Sequence, residues 1–412
     1  MTTAPPRLFR PIVVLLPIVL LLELATVWWP VSPPVLPDDL PAEAVEGFEQ
    51  AERYLRPLIV GRFFSSLAGI LLVLVVLLSG VAARVEEKYG GSHLRWPARI
   101  GFLFAFFLLI WLAFFPSSWV HFLRNRDFGI TEMVWQTWLR NKVLGTPVPL
   151  LLFFGRWLIL FCLIAIFKSS WWWVGALFLF GVFSVLPEWA SRTYPLDPVE
   201  EMAPLPAGEI REAFEGLAAE TGRNLELMMV NESERTRRVN MALTGRIGRE
   251  YVLVTDTLID KLTPEEARVM LAHELGHAVT RHIVIPFRKL FGLFGSLLTL
   301  GLVYRFQRVH PVAERRILSV LLQVMLAGHL VTTVLRPVQG VVSRYEEREA
   351  DRYALELTRD PESFRSLMLK LAKVNLEPYD APRWAYWLYG ASHPTIRERL
   401  EMAERWGAEN LE

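Results

Sequence analysis

Residues 263–282 of the chain read TPEEARVMLAHELGHAVTRH. Thr263 is suited to a helix N-cap, Pro264 fits the first helical position, and Glu266 stands at the third position, where it can complete a capping box with Thr263. From there to the end of the stretch the only helix breaker is Gly276. The stretch therefore predicts a well-defined helix that ends at the edge of an apolar run.

The pentapeptide HELGH, residues 273–277, lies in the middle of this predicted helix. His273 and His277 are one turn apart on the same face, so both imidazoles can bind one zinc ion. Glu274 is rotated by about 100° around the helix axis, where it can accept a proton from an attacking water without competing for the metal. A chance HExxH on a buried helix is the alternative. The capped helix and its position beside an apolar run favour a metal-dependent hydrolase.

The composition restricts both the class of protein and the kind of metal site. Of the 412 residues, 52% are hydrophobic, and the mean hydropathy is +0.30, which is more apolar than is usual for a soluble protein of this length. The net charge of +1 gives no reason to expect a nucleic acid as the main partner. Cys162 is the only cysteine, so no internal disulfide can form, and any metal site must be built from His and carboxylates.

Seven segments approach or reach the roughly 17–25 apolar residues that cross a lipid bilayer. These segments predict a mainly α membrane protein with about seven transmembrane helices. The HELGH helix adds to this prediction an α+β metallopeptidase domain of the zincin type, similar to the gluzincins. The predicted spans are Ile12–Trp29, Phe63–Ala83, Ile100–Val120, Val143–Phe167, Trp171–Trp189, Ile283–Tyr304 and Ile317–Leu335.

The hydrophilic residues form two blocks, Arg192–His282 and Arg336–Glu412, that face the same side of the membrane because two spans separate them. Within the first block the sequence predicts a helix at Glu209–Thr221 and strands at Leu225–Val230 and Tyr251–Thr255. The predicted organisation is a five-span membrane region (1–191), a first part of the peptidase domain with the HELGH helix (192–282), two transmembrane helices (283–337) and a second part of the peptidase domain (338–412).

A zinc site of this kind needs a third protein ligand, and the predicted helix Ser343–Leu357 (SRYEEREADRYALEL) carries the candidates. Glu347 and Asp351 are four residues apart and share a face, as a ligand and a supporting carboxylate would. On spacing alone Glu346 or Glu349 could serve instead. A solvated charged helix face is the alternative that involves no metal.

The order of a HELGH helix, two spans and then Ser-Arg-x-x-Glu-x-x-x-Asp resembles the integral-membrane metallopeptidases related to the type I CAAX prenyl protease and to HtpX. The resemblance implies that Glu347 is the third ligand of one zinc ion per chain and that Asp351 supports a ligating histidine without binding the metal itself. Residues 392–400 (SHPTIRERL) are similar to the late His-Pro element of that family. This similarity implies that His393 and Arg399 lie near the scissile carbonyl and help to stabilise the oxyanion.

Residues 239–245 (VNMALTG) are similar to the strand that runs beside the active site in the same family. An extended substrate can pair with the edge of such a strand, which implies substrate contacts for Asn240 and Ala242. The match is imperfect because Met241 stands between these two residues.

The predicted function is that of a membrane endopeptidase acting on membrane-associated proteins or peptides. Prenylated substrates of the CAAX type are one interpretation, and degradation of misfolded membrane proteins, as expected of an HtpX-like enzyme, is another; about seven spans favour the first. A transporter or a scaffold is the non-enzymatic alternative, against which the intact HELGH argues. The resemblance implies a catalytic domain on the cytoplasmic side, whereas the Lys and Arg residues of the short loops mildly favour the opposite orientation.

Overall fold

The computed structural model describes residues 36–37, 40–89, 93, 95–145, 147–186, 189, 202–246, 249–309, 316–381 and 392–411. Helices dominate these ranges, and a short four-stranded sheet accompanies them. The helices are α1 (Ala42–Leu78), α2 (Val81–Tyr89), α3 (Arg95–Asp127), α4 (Trp135–Gly145), α5 (Pro147–Ile166), α6 (Trp171–Phe180), α7 (Glu209–Glu220), α8 (Asp256–Lys261), α9 (Pro264–Val309), α10 (Ile317–Thr358), α11 (Pro361–Asn375) and α12 (Ile396–Asn410). A 3-10 turn, Lys168–Ser170, precedes α6, and a π-turn, Gly181–Val185, follows it.

Within the described part of the chain, five helical segments are long and apolar enough to cross a membrane. The apolar helix Trp171–Val185, at the predicted fifth span, is shorter than these. The predicted first span, Ile12–Trp29, lies outside the described residues. The multi-pass architecture is thus confirmed, with seven as an approximate count. The five long segments are Ala42–Leu78, Arg95–Asp127, Trp135–Ile166, Ile283–Arg308 and Ile317–Thr358.

The second predicted span, Phe63–Ala83, overruns the end of its helix. Helix α1 stops at Leu78, and the chain turns at Gly80, which has a φ of 68°. This left-handed backbone conformation costs little only for glycine. The apolar residues beyond the turn belong to α2, so hydrophobicity alone misplaced the boundary.

The two longest helices join the membrane region to the hydrophilic domain without a break. Helix α9 has 46 residues and α10 has 42, although each contains a proline, Pro286 and Pro337 respectively. At 1.5 Å per residue they extend about 69 and 63 Å. The HELGH motif lies near the start of α9 and the Ser-Arg-x-x-Glu motif near the end of α10, and these helices form the most extensive packed pair in the described structure. The two motifs are therefore fixed relative to each other and to the membrane.

The sheet has the strand order β1-β2-β4-β3, with β1 at Met202–Pro204, β2 at Leu225–Val230, β3 at Met241–Arg246 and β4 at Arg249–Thr255. Strands β2 and β4 are parallel, whereas β1 pairs antiparallel with β2 and β3 antiparallel with β4. The two strands predicted from the sequence, now β2 and β4, are confirmed. Strand β3 lies at one edge of the sheet, and that edge faces the HELGH helix.

Two main hydrophobic clusters account for most of the buried apolar side chains. The first joins the sheet to α7, α11, α12 and the first part of α9, and it also includes Ala44 and Phe48 from the start of α1. The second joins α1, α3, α5 and α6 with the membrane halves of α9 and α10. The N-terminal end of α1 thus belongs to the core of the hydrophilic domain, although the sequence assigns it to the membrane region.

Candidate active site

The start of α9 is fixed by the predicted capping box. The Thr263 amide donates to Glu266 Oε2 at 2.8 Å, and the Glu266 amide donates to Thr263 Oγ1 at 3.3 Å. The buried Glu266 carboxylate also accepts from Ser366 Oγ at 2.6 Å and Lys370 Nζ at 2.5 Å. Since both of these residues belong to α11, the contacts tie the start of the HELGH helix to the rest of the domain.

The two imidazoles of HELGH converge on one point. His273 Nε2 and His277 Nε2 are 3.1 Å apart, and the ring planes are nearly perpendicular at 88°. Two nitrogens that are each about 2.0–2.1 Å from a tetrahedral zinc ion would be roughly 3.3 Å apart. The spacing of this pair therefore fits a shared zinc ion.

Glu347 completes the cluster from the facing helix, α10. Its Oε2 lies 3.4 Å from His273 Nε2 and its Oε1 lies 3.6 Å from His277 Nε2. The Oε2 atom is buried and, within the described residues, accepts no hydrogen bond of normal geometry. A buried carboxylate oxygen without a donor costs free energy. A cation between these three side chains would remove that cost, so the residues present fit a zinc ion.

The other two glutamates considered as third ligands are engaged elsewhere. Glu346 accepts from Arg288 Nη2 at 2.6 Å, and its nearest approach to the HELGH histidines is 4.0 Å, to His277 Nδ1. Glu349 pairs with Arg352 on the same helix. The geometry thus favours Glu347 among the three carboxylates.

Asp351 lies behind His273 and is fully buried. His273 Nδ1 and Asp351 Oδ1 are 2.9 Å apart, so an N–H at Nδ1 donates to the carboxylate and leaves the Nε2 lone pair directed at the site. Arg399 in turn donates to both carboxylate oxygens, from Nε at 2.9 Å and from Nη2 at 2.5 Å. This bidentate pair holds Asp351 in one orientation.

Arg399 is largely buried and lies against Asp351. Its side chain is only 8% exposed, and its donors are directed at Asp351 rather than at the open side of the site. The observed contacts of Arg399 thus support Asp351, and its part in stabilising an oxyanion stays a prediction. His393, by contrast, is 60% exposed, and its Nε2 lies 3.5 Å from Glu347 Oε1. It stands at the rim of the cluster, where a substrate could reach it.

Glu274 points from α9 towards the edge strand β3. Its Oε2 accepts from the Leu243 amide at 3.3 Å, and Arg281 Nη2 donates to the Leu243 carbonyl at 3.3 Å. His273, Glu274 and His277 offer ligand atoms within 4.8 Å of one another. Proximity alone therefore does not decide whether Glu274 or Glu347 is the third metal ligand. The contact with a strand amide distinguishes them, because it directs Glu274 to the strand and leaves Glu347 against both imidazoles. The sequence did not predict the contact between Leu243 and Glu274, because a main-chain amide makes it and the residue type gives no signal for such a contact.

Ala242 lies on strand β3, and Asn240 directly precedes that strand. The Asn240 carbonyl accepts from the Thr255 amide at 3.2 Å, so this part of Asn240 faces β4 and not the free edge. Both side chains line a separate cavity of about 630 Å³, together with Tyr54 and Arg238. Of the strand residues, Leu243 makes the contact with Glu274.

Gly276 permits the close approach of the two ligand-bearing helices. A Cβ atom at this position would lie 2.7 Å from Ala350 Cα and 3.0 Å from the Ala350 carbonyl oxygen. Ala350 is between Glu347 and Asp351 in the sequence of α10. The absence of a side chain at Gly276 therefore sets the distance between the histidines and the carboxylates.

The electrostatics of the cluster favour a positive charge between its members. Burial alone would lower the pKa of His273, but the hydrogen bond to Asp351 and the nearby Glu347 carboxylate raise it to about 9. Burial and the neighbouring His273 lower the pKa of His277 to about 4. Burial raises the pKa of Glu274, an effect that His273 and the Leu243 amide oppose. Asp351 and Glu347 thus stabilise one positive charge on the imidazole pair, and they would stabilise a metal ion there for the same reason.

Two family models and several known proteins match this chain. Residues 204–407 match the model of peptidase family M48, and residues 32–191 match the model described as the CAAX prenyl protease N-terminal domain with five membrane helices. The uncharacterized metalloprotease YhfN of Bacillus subtilis is 27% identical over 81% of this chain and 80% of its own. CAAX prenyl protease 1 of Saccharomyces cerevisiae is 27% identical over 69% of this chain and 67% of its own.

The crystal structure of S. mikatae Ste24p has the same fold. It superposes with a TM-score of 0.75 over 97% of this chain and 99% of its own, at 20% sequence identity. The two family models together account for both the membrane region and the domain that carries HELGH. The chain belongs to peptidase family M48 and is a multi-pass membrane metalloendopeptidase.

Proposed function

We propose that the chain binds one zinc ion through His273, His277 and Glu347 and that Glu274 is the general base of peptide hydrolysis. The observation that carries this proposal is the convergence of both imidazole Nε2 atoms and the Glu347 carboxylate within 3.1–3.6 Å. Metal analysis of the purified protein tests it, with one zinc per chain expected for the wild type and almost none for His277→Ala. Absence of zinc from an active wild-type preparation would contradict the proposal.

The proposed roles follow from the position of each side chain. When bound, zinc would polarise the scissile carbonyl and the attacking water. Glu274 would accept a proton from that water at its carboxylate and pass it to the leaving amine. Asp351 would orient His273, with Arg399 holding Asp351 in turn. His393, at the exposed rim, would donate a hydrogen bond to the developing oxyanion.

The free edge of β3 is the proposed site for an extended substrate. An incoming strand can pair there through main-chain hydrogen bonds, and the Leu243 amide and carbonyl point towards α9 at the level of Glu274. Such pairing would place a scissile bond beside the HELGH helix. Asn240 and Ala242 are proposed to contact the substrate through their side chains, in the adjoining cavity.

The proposed substrates are membrane-associated proteins or peptides, and prenylated C termini of the CAAX type are the favoured class. The match of residues 32–191 to the CAAX prenyl protease N-terminal model favours this class over the degradation of misfolded membrane proteins expected of an HtpX-like enzyme. The test compares a farnesylated peptide with the same peptide lacking the lipid. A kcat/KM at least tenfold higher for the farnesylated peptide is expected. Equal values, together with cleavage of an unfolded membrane protein, would favour the HtpX-like function.

The catalytic domain is proposed to face the cytoplasm, as the family resemblance implies. The start of α1, the π-turn after α6, the start of α9 and the end of α10 would then lie at the cytoplasmic surface. The asymmetry of loop charges that favours the opposite orientation is modest, and long hydrophilic domains contribute little to the positive-inside rule.

A further inference from the structure

Strand β3 directs its main-chain groups alternately to β4 and to the free edge of the sheet. The Thr255 amide donates to the carbonyl of Asn240, which directly precedes β3, at 3.2 Å. Because the direction of the main-chain groups reverses at each residue of a strand, Leu243, three residues further on, faces the free edge. Its amide and carbonyl can therefore bond to partners outside the sheet.

Side chains of α9 occupy both main-chain groups of Leu243. Glu274 accepts from its amide and Arg281 Nη2 donates to its carbonyl, each at 3.3 Å. Glu274 and Arg281 are seven residues apart, which is about two helical turns, so they lie on the same face of α9. Together they offer Leu243 one acceptor and one donor, as a residue of a paired strand would.

These two contacts compete with a substrate strand for the edge of β3. A strand that pairs with this edge uses the main-chain groups of every second residue of β3. Leu243 lies near the middle of the strand, and Met241 and Gly245, two residues away on either side, face the same edge. Pairing along the whole edge therefore requires that Glu274 and Arg281 leave Leu243.

The contact of Arg281 is suited to such an exchange. Its length of 3.3 Å is beyond the usual range of about 2.7–3.2 Å for an N–H···O hydrogen bond, so the bond is weak. Arg281 is exposed, and water can solvate its guanidinium once it leaves the carbonyl. Leu243, by contrast, is only 7% exposed, so its carbonyl needs a replacement donor. The main-chain amide of an incoming strand supplies one.

We propose that Arg281 is a specificity-determining residue of this peptidase. It occupies the Leu243 carbonyl until the amide of a substrate strand replaces it, so the site favours extended peptides over substrates with no amide to donate at this position. In the same way, a substrate carbonyl that takes the Leu243 amide would free the Glu274 carboxylate. This role of Arg281 depends on the proposed binding of substrate along β3.

Cleavage kinetics of the full-length protein in detergent test this role. The substrates are an extended, internally quenched peptide and analogues of it that are N-methylated at one residue each. N-methylation removes one main-chain donor, so the KM of the wild type should rise for methylation at alternate residues of the peptide, which donate to β3.

The decisive variant is Arg281→Gln, whose side chain is too short to reach the carbonyl. Its KM for the parent peptide should fall about fivefold, the weight of one ordinary hydrogen bond, with kcat within about twofold of the wild type. For one of the sensitive analogues this gain should disappear. That analogue lacks the amide that replaces Arg281, so its binding does not depend on whether the carbonyl is occupied.

Arg268→Gln is the matched control. It removes the same type of residue from the same helix on the other side of HELGH, where Arg268 pairs with Glu220 of α7. Its KM should stay within about twofold of the wild type, since no bond to β3 is removed. Arg281→Lys keeps a cationic donor and should remain closer to the wild type than Arg281→Gln. Arg281→Met has no donor, and it gives a second answer if the glutamine variant does not fold.

Four results would overturn the proposal. An unchanged KM in the folded glutamine and methionine variants would show that Arg281 does not compete for the carbonyl. A higher KM would mean that Arg281 binds the substrate, and a lower kcat at unchanged KM would mean that it positions the strand for Glu274. An equal fall of KM in the control would indicate a general effect of charge.

Failure of the proposed function would give a different pattern. If N-methylation at no position changed the KM of the wild type, the substrate would not pair with β3. An active wild type without zinc would contradict the metal assignment. A zinc-loaded wild type that is sensitive to N-methylation, with a KM that the Arg281 variants leave unchanged, would refute the role of Arg281 alone.

Discussion

Replacement of Gly276 by alanine tests whether close packing of α9 on α10 sets the metal site. The new Cβ would lie 2.7 Å from Ala350 Cα, whereas carbon atoms in favourable contact are about 3.5–4.0 Å apart. The helices must therefore separate by about 0.8 Å at this level. Alanine would otherwise favour the helix by about 0.8–1.0 kcal/mol, so any loss of stability must come from the contact.

The substitution is expected to weaken zinc binding more than it lowers the free energy of unfolding. Overpacking of this kind costs about 1–3 kcal/mol, part of which the helix propensity of alanine offsets. Metal sites, however, tolerate deviations of only about 0.2 Å in ligand distance. Since Glu347 and Asp351 flank the contact on α10, the separation would move both from the histidines. Zinc affinity should fall at least about tenfold and peptidase activity about 100-fold.

The assay is competition for zinc against a chromophoric chelator, with thermal unfolding recorded on the same sample. Gly301→Ala is the matched control, because it is on the same helix and no atom lies within 4 Å of the position of its Cβ. It should leave zinc affinity unchanged. The double variant Gly276→Ala/Ala350→Gly should not recover affinity, because the shortest contact is with the backbone of Ala350.

Two outcomes would refute this reasoning. Wild-type zinc affinity in Gly276→Ala would show that the helices separate without disturbing the ligands. Full recovery in the double variant would show that the relevant contact is the Ala350 side chain, which lies 3.2 Å from the new Cβ, and not the backbone.

Further predictions concern the other residues of the site and the orientation of the domain. Glu274→Gln should keep its zinc but lose nearly all activity, because an amide cannot accept the proton; near wild-type turnover with zinc present would remove Glu274 from the mechanism. Glu347→Ala should lose zinc, while Glu349→Ala, its control on the same helix, should retain it; the reverse result would mean that the ligand is misassigned. Arg399→Gln should lower the free energy of unfolding by about 3–5 kcal/mol, because it leaves the buried Asp351 carboxylate without its cation, and it should lower zinc affinity about 10–100-fold; unchanged chemical denaturation would contradict this. A reporter fused after Glu412 should read as cytoplasmic, and an external signal would invert the topology.

Local sequence patterns were sufficient for several elements of this protein. The capping box at Thr263 and Glu266 formed as predicted, because its atoms come from residues three apart in one helix. Strands β2 and β4 formed at the two short apolar runs predicted for them, Leu225–Val230 and Tyr251–Thr255. The apolar runs similarly indicated the membrane helices, since length and hydrophobicity are the main requirements for crossing a bilayer. The spacing of His273 and His277 then placed both imidazoles on one face.

Other features depended on contacts between distant parts of the chain. Spacing left Glu346, Glu347 and Glu349 open, because all three lie on the same short stretch. The resemblance pointed to Glu347, but packing of α10 on α9 is what brings its carboxylate to the imidazoles. The resemblance implied a role for Arg399 near the scissile carbonyl, but it did not indicate that the guanidinium pairs with the buried Asp351, 48 residues away. A buried carboxylate needs a partner, and sequence spacing does not reveal which cation is near.

The sequence by itself thus determined the membrane class, the helix that carries HELGH and the chemistry of its side chains. Only the tertiary structure decided which carboxylate faces the histidines and that the Leu243 amide holds Glu274. The reason is physical. Helix caps, strand propensity and hydrophobic length act over a few neighbouring residues, whereas a metal site or a cavity is formed by side chains that only packing brings together.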